Sequence, residues 1–165
     1  MAQASAFDHS ASRQARYDQL DLQCPALLSD ADPVANQANF AALVHMAFGW
    51  HWVGFYLVDA KRDQLVLGPF QGPLACTRLN HGKGVCAAAW DEATVQVVPD
   101  VHAFEGHVAC SSHTESELVI PIEVAEKVVA VLDIDSTKPD DVSAADVTGL
   151  APLVDLLAEN WNAWE

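Results

Sequence analysis

Two stretches of β-branched and aromatic residues, each doubling back through a short polar turn, limit the folds open to this chain more than anything else in it. His51 to Asp59 (HWVGFYLVD) and Gln64 to Phe70 flank the turn Ala60-Lys61-Arg62-Asp63, and Glu117 to Val124 (ELVIPIEV) and Val128 to Asp135 (VVAVLDID) flank Ala125-Glu126-Lys127. Both patterns predict antiparallel hairpins. Sheets of this kind are completed by helices packed against them, and helical signals stand on either side.

Asp32-Pro33 reads as an N-cap with proline at the first helical position. Val34, Gln37, Ala41, Val44 and Phe48 then follow at helical spacing up to a stop at Gly49. Arg13 to Leu28 predicts an earlier helix with Tyr17, Leu20 and Cys24 near one face and an end made ragged by Pro25. Val85 to Glu92 is a short alanine-rich helix opened by Gly82 and Gly84. Ser143 to Trp164 is a last helix, with Ser143 as N-cap and Asp146 three residues on, kinked or split by Pro152. Short strands are expected at Cys76 to Leu79 and Thr94 to Val98, and an aperiodic loop at Asp100 to Glu115. The order is that of an α+β domain, an antiparallel sheet flanked by helices.

The 165 residues suit one domain, and 51% apolar content argues against disorder. Met1 to Ser12 is small and polar and is expected to be a flexible N-terminus, leaving 13–165 as the folded unit. A formal charge of −15 disfavours nucleic acid and anionic membrane as partners. No signal peptide and no span-length apolar run is read, which predicts a soluble cytoplasmic protein.

Several residues carry chemistry. Cys76, Cys86 and Cys110 cluster in the central stretch; in a reducing compartment such thiols are metal ligands or a nucleophile with resolving partners. Asp133 and Asp135 leave one face of a strand about 7 Å apart, together with Val129 and Val131, so partial burial would keep one of them protonated near neutrality. Trp52 and Tyr56 share parity and could wall an apolar pocket. His102, His107, Cys110 and His113 offer metal-ligand types, but only Cys110-x2-His113 has a zinc spacing, and no metal site is expected. Gly82-x-Gly84 lacks the rest of a nucleotide fingerprint.

In order, Gly68-Pro69-Phe70-Gln71-Gly72-Pro73-Leu74-Ala75-Cys76, Gly82-Lys83-Gly84-Val85-Cys86, the run from Asp100 to Cys110 (DVHAFEGHVAC) and Val131 to Ser136 (VLDIDS) resemble the free methionine-(R)-sulfoxide reductases, small GAF-fold enzymes. The resemblance spans roughly Trp52 to Thr137. It implies a single GAF-like catalytic domain that reduces free L-methionine (R)-S-oxide. Cys110 would be the nucleophile, Cys76 the usual resolving thiol and Cys86 a third, relay thiol. Trp52, Tyr56, Glu117, Asp133 and Asp135 would form the substrate site. It further implies a Cys76–Cys110 disulfide, no bound cofactor, recycling by thioredoxin with NADPH through thioredoxin reductase, and a homodimer. Cys24 falls outside these motifs. The competing expectations are a non-enzymatic GAF module that binds a small ligand, and a Cys/His metal-binding redox sensor.

Overall fold

The structure, a computed structural model, describes residues 6–28 and 32–161. Its helices are α1 (Arg13–Leu27), α2 (Pro33–Phe48), α3 (Val85–Glu92) and α4 (Ala144–Trp161). Its strands are β1 (Trp52–Asp59), β2 (Gln64–Gln71), β3 (Arg78–Leu79), β4 (Gln96–Val98), β5 (Ser116–Val124) and β6 (Lys127–Ser136). They form one six-stranded sheet in the order β3-β2-β1-β6-β5-β4, every neighbouring pair antiparallel. The two hairpins thus join along β1 and β6, the strands richest in apolar side chains.

Period-two alternation gives this sheet two different faces. Val53 and Phe55 of β1, Leu118, Ile120 and Ile122 of β5, and Leu132 and Ile134 of β6 pack with α1, α2 and α4 into the main core. Trp52, Tyr56, Val119 and Val131 face the other way, against Val85, Cys86 and Ala89 of α3 and Val101 of the following loop. Helices α1, α2 and α4 cover one face; α3 and the chemistry gather on the other.

Capping follows the sequence reading. The Asp32 carboxylate accepts from the amides of Val34 and Ala35, and α2 stops at Gly49 in the left-handed conformation (φ 67°). At the head of α4 the Asp146 carboxylate accepts from the Ser143 amide at 2.8 Å, the reciprocal half of a capping box. That carboxylate is fully buried and also accepts from the Arg13 guanidinium and the Tyr17 hydroxyl, both at 2.7 Å, so it clasps α1 to α4.

Several expectations change. α4 is not split at Pro152: the residue is exposed, and so is Thr148, whose carbonyl loses its amide partner on the side open to water. Val129 does not share a face with Val131. A bulge pairs Ile122 with Ala130 but Glu123 with Val128, which leaves Val129 unpaired and turns it toward the helical core. The strand expected at Cys76 to Leu79 is reduced to Arg78–Leu79, because the Cys76 carbonyl accepts from the Tyr56 hydroxyl rather than from a strand. The strand expected from Thr94 starts at Gln96, where pairing with Val119 of β5 begins. The expected helix end at Trp164 lies outside the described residues, as do Met1 to Ser5. Phe7, within the segment read as a flexible terminus, packs into the main core.

Candidate active site

Strand register builds the site. Trp52 of β1 pairs with Asp135 of β6, which pairs on its other side with Glu117 of β5; one step along, Gly54, Asp133 and Val119 line up in the same way. Directly paired residues share a face, so three carboxylates from two strands meet beside one indole. Gly54 makes the space: a Cβ there would lie 2.3 Å from Phe70 Cβ and 2.6 Å from the Trp52 ring. Trp52 stacks between Phe70 and Tyr56, with ring centroids 5.2 and 5.9 Å away.

A cavity of about 40 Å³ opens above this floor. Trp52 and Tyr56 form an apolar wall, Glu117, Asp133 and Asp135 an acidic one, and Lys83, Gly84, Val85 and Cys86 bring in the start of α3. No side chain caps that helix. Its cap residue, Gly84, sits at φ 84° and donates its amide to the Gly106 carbonyl. His107, Cys110, Ser111 and Thr114 close the cavity from the 99–115 loop.

A disulfide joins Cys110 to Cys76, with Cα atoms 5.4 Å apart. Only Cys110 of the two lines the cavity. Cys76 is held from outside, by the Tyr56 hydroxyl on its carbonyl, while the Trp52 indole donates to the Pro73 carbonyl in the same loop. Cys86 is free and buried, and its thiol hydrogen-bonds to the Asp133 carboxylate. Cys24 is also free and buried, but in the helical core beyond the sheet.

Burial dominates the electrostatics. It raises Asp133 from an ordinary 3.8 to about 7, restrained by hydrogen bonds from the Cys86 thiol and the Ile134 amide. Glu117 and Asp135 are raised well above the carboxylate range, by burial first and then by the charge of their acidic neighbours. Near neutrality the cluster therefore carries far less than three charges, shared among its three carboxyls. Burial, followed by the Asp133 and Glu117 charges, likewise raises the Cys86 thiol well above its usual value. A protonated thiol is a poor nucleophile, so Cys86 is suited to donating a hydrogen bond instead. Asp133 Oδ1 and His107 Nδ1 are buried with no hydrogen-bond partner. Both are polar groups left open for something that enters the cavity.

All eight residues singled out from the sequence are brought together here; Cys76 alone contributes through its bond and not through the cavity wall. The metal-ligand candidates of the loop are not gathered. Cys110 is in the disulfide, His102 lies 3.3 Å from Glu115, and His113 stands near His51. Lys83, Ser111 and Thr114 were not foreseen as lining residues. Lys83 had a signal, a lone cation between two glycines ahead of a helix, whereas the aperiodic loop gave none for Ser111 and Thr114.

Comparison with known proteins identifies relatives of this chain. The GAF domain model matches residues 37–161. The free methionine-R-sulfoxide reductase of Neisseria meningitidis, solved in complex with its substrate, superposes with a TM-score of 0.95 at 42% identity, covering 99% of this chain and 98% of that one. The free methionine-R-sulfoxide reductase of Escherichia coli is 44% identical over 73% of this chain and 73% of its own length. GAF domain-containing protein A of Dictyostelium discoideum is 43% identical over 88% of this chain and 92% of its own.

Proposed function

Since this chain belongs to the GAF domain family, among the free methionine-R-sulfoxide reductases, we propose that it reduces free L-methionine (R)-S-oxide to L-methionine, with residues 13–165 as the catalytic unit. The observation that carries this reading is a Cys76–Cys110 disulfide at the rim of a cavity floored by three buried carboxyls.

The site is complementary to a free amino acid. The acidic wall suits an ammonium group, with Asp133, whose Oδ1 is buried and has no hydrogen-bond partner, as its counterpart. The uncapped start of α3 and Lys83 suit a carboxylate. Trp52 and Tyr56 suit a methyl-sulfur end. Cys110, on the cavity wall, attacks the sulfoxide sulfur as thiolate while a protonated carboxyl, Glu117 or Asp135, donates to the departing oxygen. The oxygen leaves as water, a water then adds to Cys110 Sγ as the Cys110–substrate sulfur bond breaks and the thioether leaves, and Cys110 becomes a sulfenic acid. The Cys76 thiol condenses with it, giving water and the disulfide, and two electrons from an external dithiol return both thiols.

The external donor is read as thioredoxin, with NADPH supplied through thioredoxin reductase. Leu74, two residues from Cys76 and almost fully exposed, offers apolar surface beside the bond to be reduced. A homodimer in the cytoplasm completes the reading; among the described residues no helix is long and apolar enough to cross a membrane. The deciding experiment offers separated free (R) and (S) sulfoxides to the protein with thioredoxin, thioredoxin reductase and NADPH. NADPH consumption with the (R) epimer alone is expected. Binding without turnover would instead mark a ligand-sensing module.

A further inference from the structure

The buried acids of the cavity lie against Cys86, a thiol that the proposed cycle leaves idle. Cys86 Sγ and carboxylate oxygens of Glu117 and Asp133 lie within 4.8 Å of one another, the one such group of three donors among the described residues. All three side chains are more than nine-tenths buried. Asp133 Oδ1 has no hydrogen-bond partner, and His107 Nδ1, also unpartnered, stands 3.9 Å from Glu117 Oε2. We propose that Cys86, Glu117 and Asp133 form a binding site for a borderline-soft divalent cation, zinc above all, which excludes substrate while it is bound.

The donor set selects the ion. A thiolate with carboxylate oxygens and a nearby imidazole is the ligand mixture of zinc, whereas magnesium and calcium call for oxygen alone. Zinc–sulfur and zinc–oxygen bonds of about 2.3 and 2.0 Å put tetrahedral ligand atoms roughly 3.3–3.6 Å apart. The three donors lie within 4.8 Å of one another. His107, which also lines the cavity, stands beside Glu117 and could add a further ligand. Binding deprotonates Cys86 and Glu117, their protons passing to solvent, and a coordinating thiol is held deprotonated by the ion itself. The cation also supplies positive charge that the cluster lacks, since Lys83 is the one lysine or arginine lining the cavity.

The site stands on the donor cluster alone; its competition with substrate rests on the reading given above. Metal binding is best measured on the Cys76–Cys110 disulfide form, in which Cys24 and Cys86 are the remaining thiols. Titration with cobalt(II), followed by absorbance, should give one equivalent bound per chain with a thiolate-to-cobalt charge-transfer band, and zinc should displace it. Cys86→Ser should abolish the band. Asp133→Asn, which keeps the shape of the side chain, should weaken binding at least about tenfold. Cys24→Ser should change neither. Absence of the band, its survival in Cys86→Ser, or its loss in Cys24→Ser would overturn the site. In a Cys76→Ser/Cys110→Ser double variant, where no turnover intrudes, free methionine sulfoxide should displace the cobalt. A bound ion that stays in place while the sulfoxide binds would overturn the competition. A protein that takes cobalt through Cys86 yet releases no methionine in the coupled assay would count against the reductase reading and not against the metal site.

Discussion

At the scale of single residues, the division of labour among the thiols follows from what surrounds each of them. Cys110 alone combines a cavity position with a bonded partner, so Cys110→Ser should reduce methionine formation to background even in a single turnover. A normal yield in rapid-quench measurement would remove it from the nucleophile's role. Asp133 gives a pH signature. Its native carboxyl binds a proton that the unfolded chain releases between about pH 4 and 7, so it lowers stability as pH rises through that window. Asp133→Asn should therefore stabilise the fold relative to the parent at pH 8, with the difference shrinking toward pH 5, as read from urea midpoints. The same variant should raise KM more than it lowers kcat, because an amide cannot pair with an ammonium charge. The Asp133–Asp135 pairing was legible in the sequence, since two residues on one strand share a face by period alone. That Glu117 stands directly opposite Asp135 was not, because register between strands is a property of the pair.

At the scale of elements, the hairpins and capped helices were readable because local alternation, Asp32-Pro33 and Gly49 act on their own neighbourhoods. The bulge at Val129 escaped for the opposite reason: only pairing with β5 creates it. The continuity of α4 through Pro152 depends on which side of the helix faces water, and that is settled by packing. β1 depends on a missing side chain. Gly54→Ala would drive a methyl into Phe70 Cβ, and should cost roughly 1–3 kcal/mol while displacing Trp52. A fall in melting temperature together with a raised KM is expected; a change in neither would mean that the aromatic wall is not seated as described. The α1–α4 clasp is a separate test. Asp146→Ala leaves Arg13 and Tyr17 without their shared acceptor and should destabilise by roughly 2–4 kcal/mol, with kcat per folded molecule unchanged.

At the scale of the whole molecule, one sheet separates two populations of thiol. Cys76, Cys86 and Cys110 lie on the face that meets oxidant, and Cys24, fully buried and with its thiol raised to about 12 chiefly by burial, lies behind a wall of interlocked aliphatic side chains. The sheet works as a bulkhead. An oxidising equivalent delivered to the pocket has no path to the helical compartment short of opening the fold, so Cys24 keeps a record that turnover cannot write. Its modification by a thiol reagent should proceed at the rate set by global opening, insensitive to how many sulfoxides the pocket has met. Mass-spectrometric labelling of Cys24 in working and idle protein should give the same slow rate, and urea should accelerate both alike. A chain recovered with Cys24 oxidised is one that had already come apart.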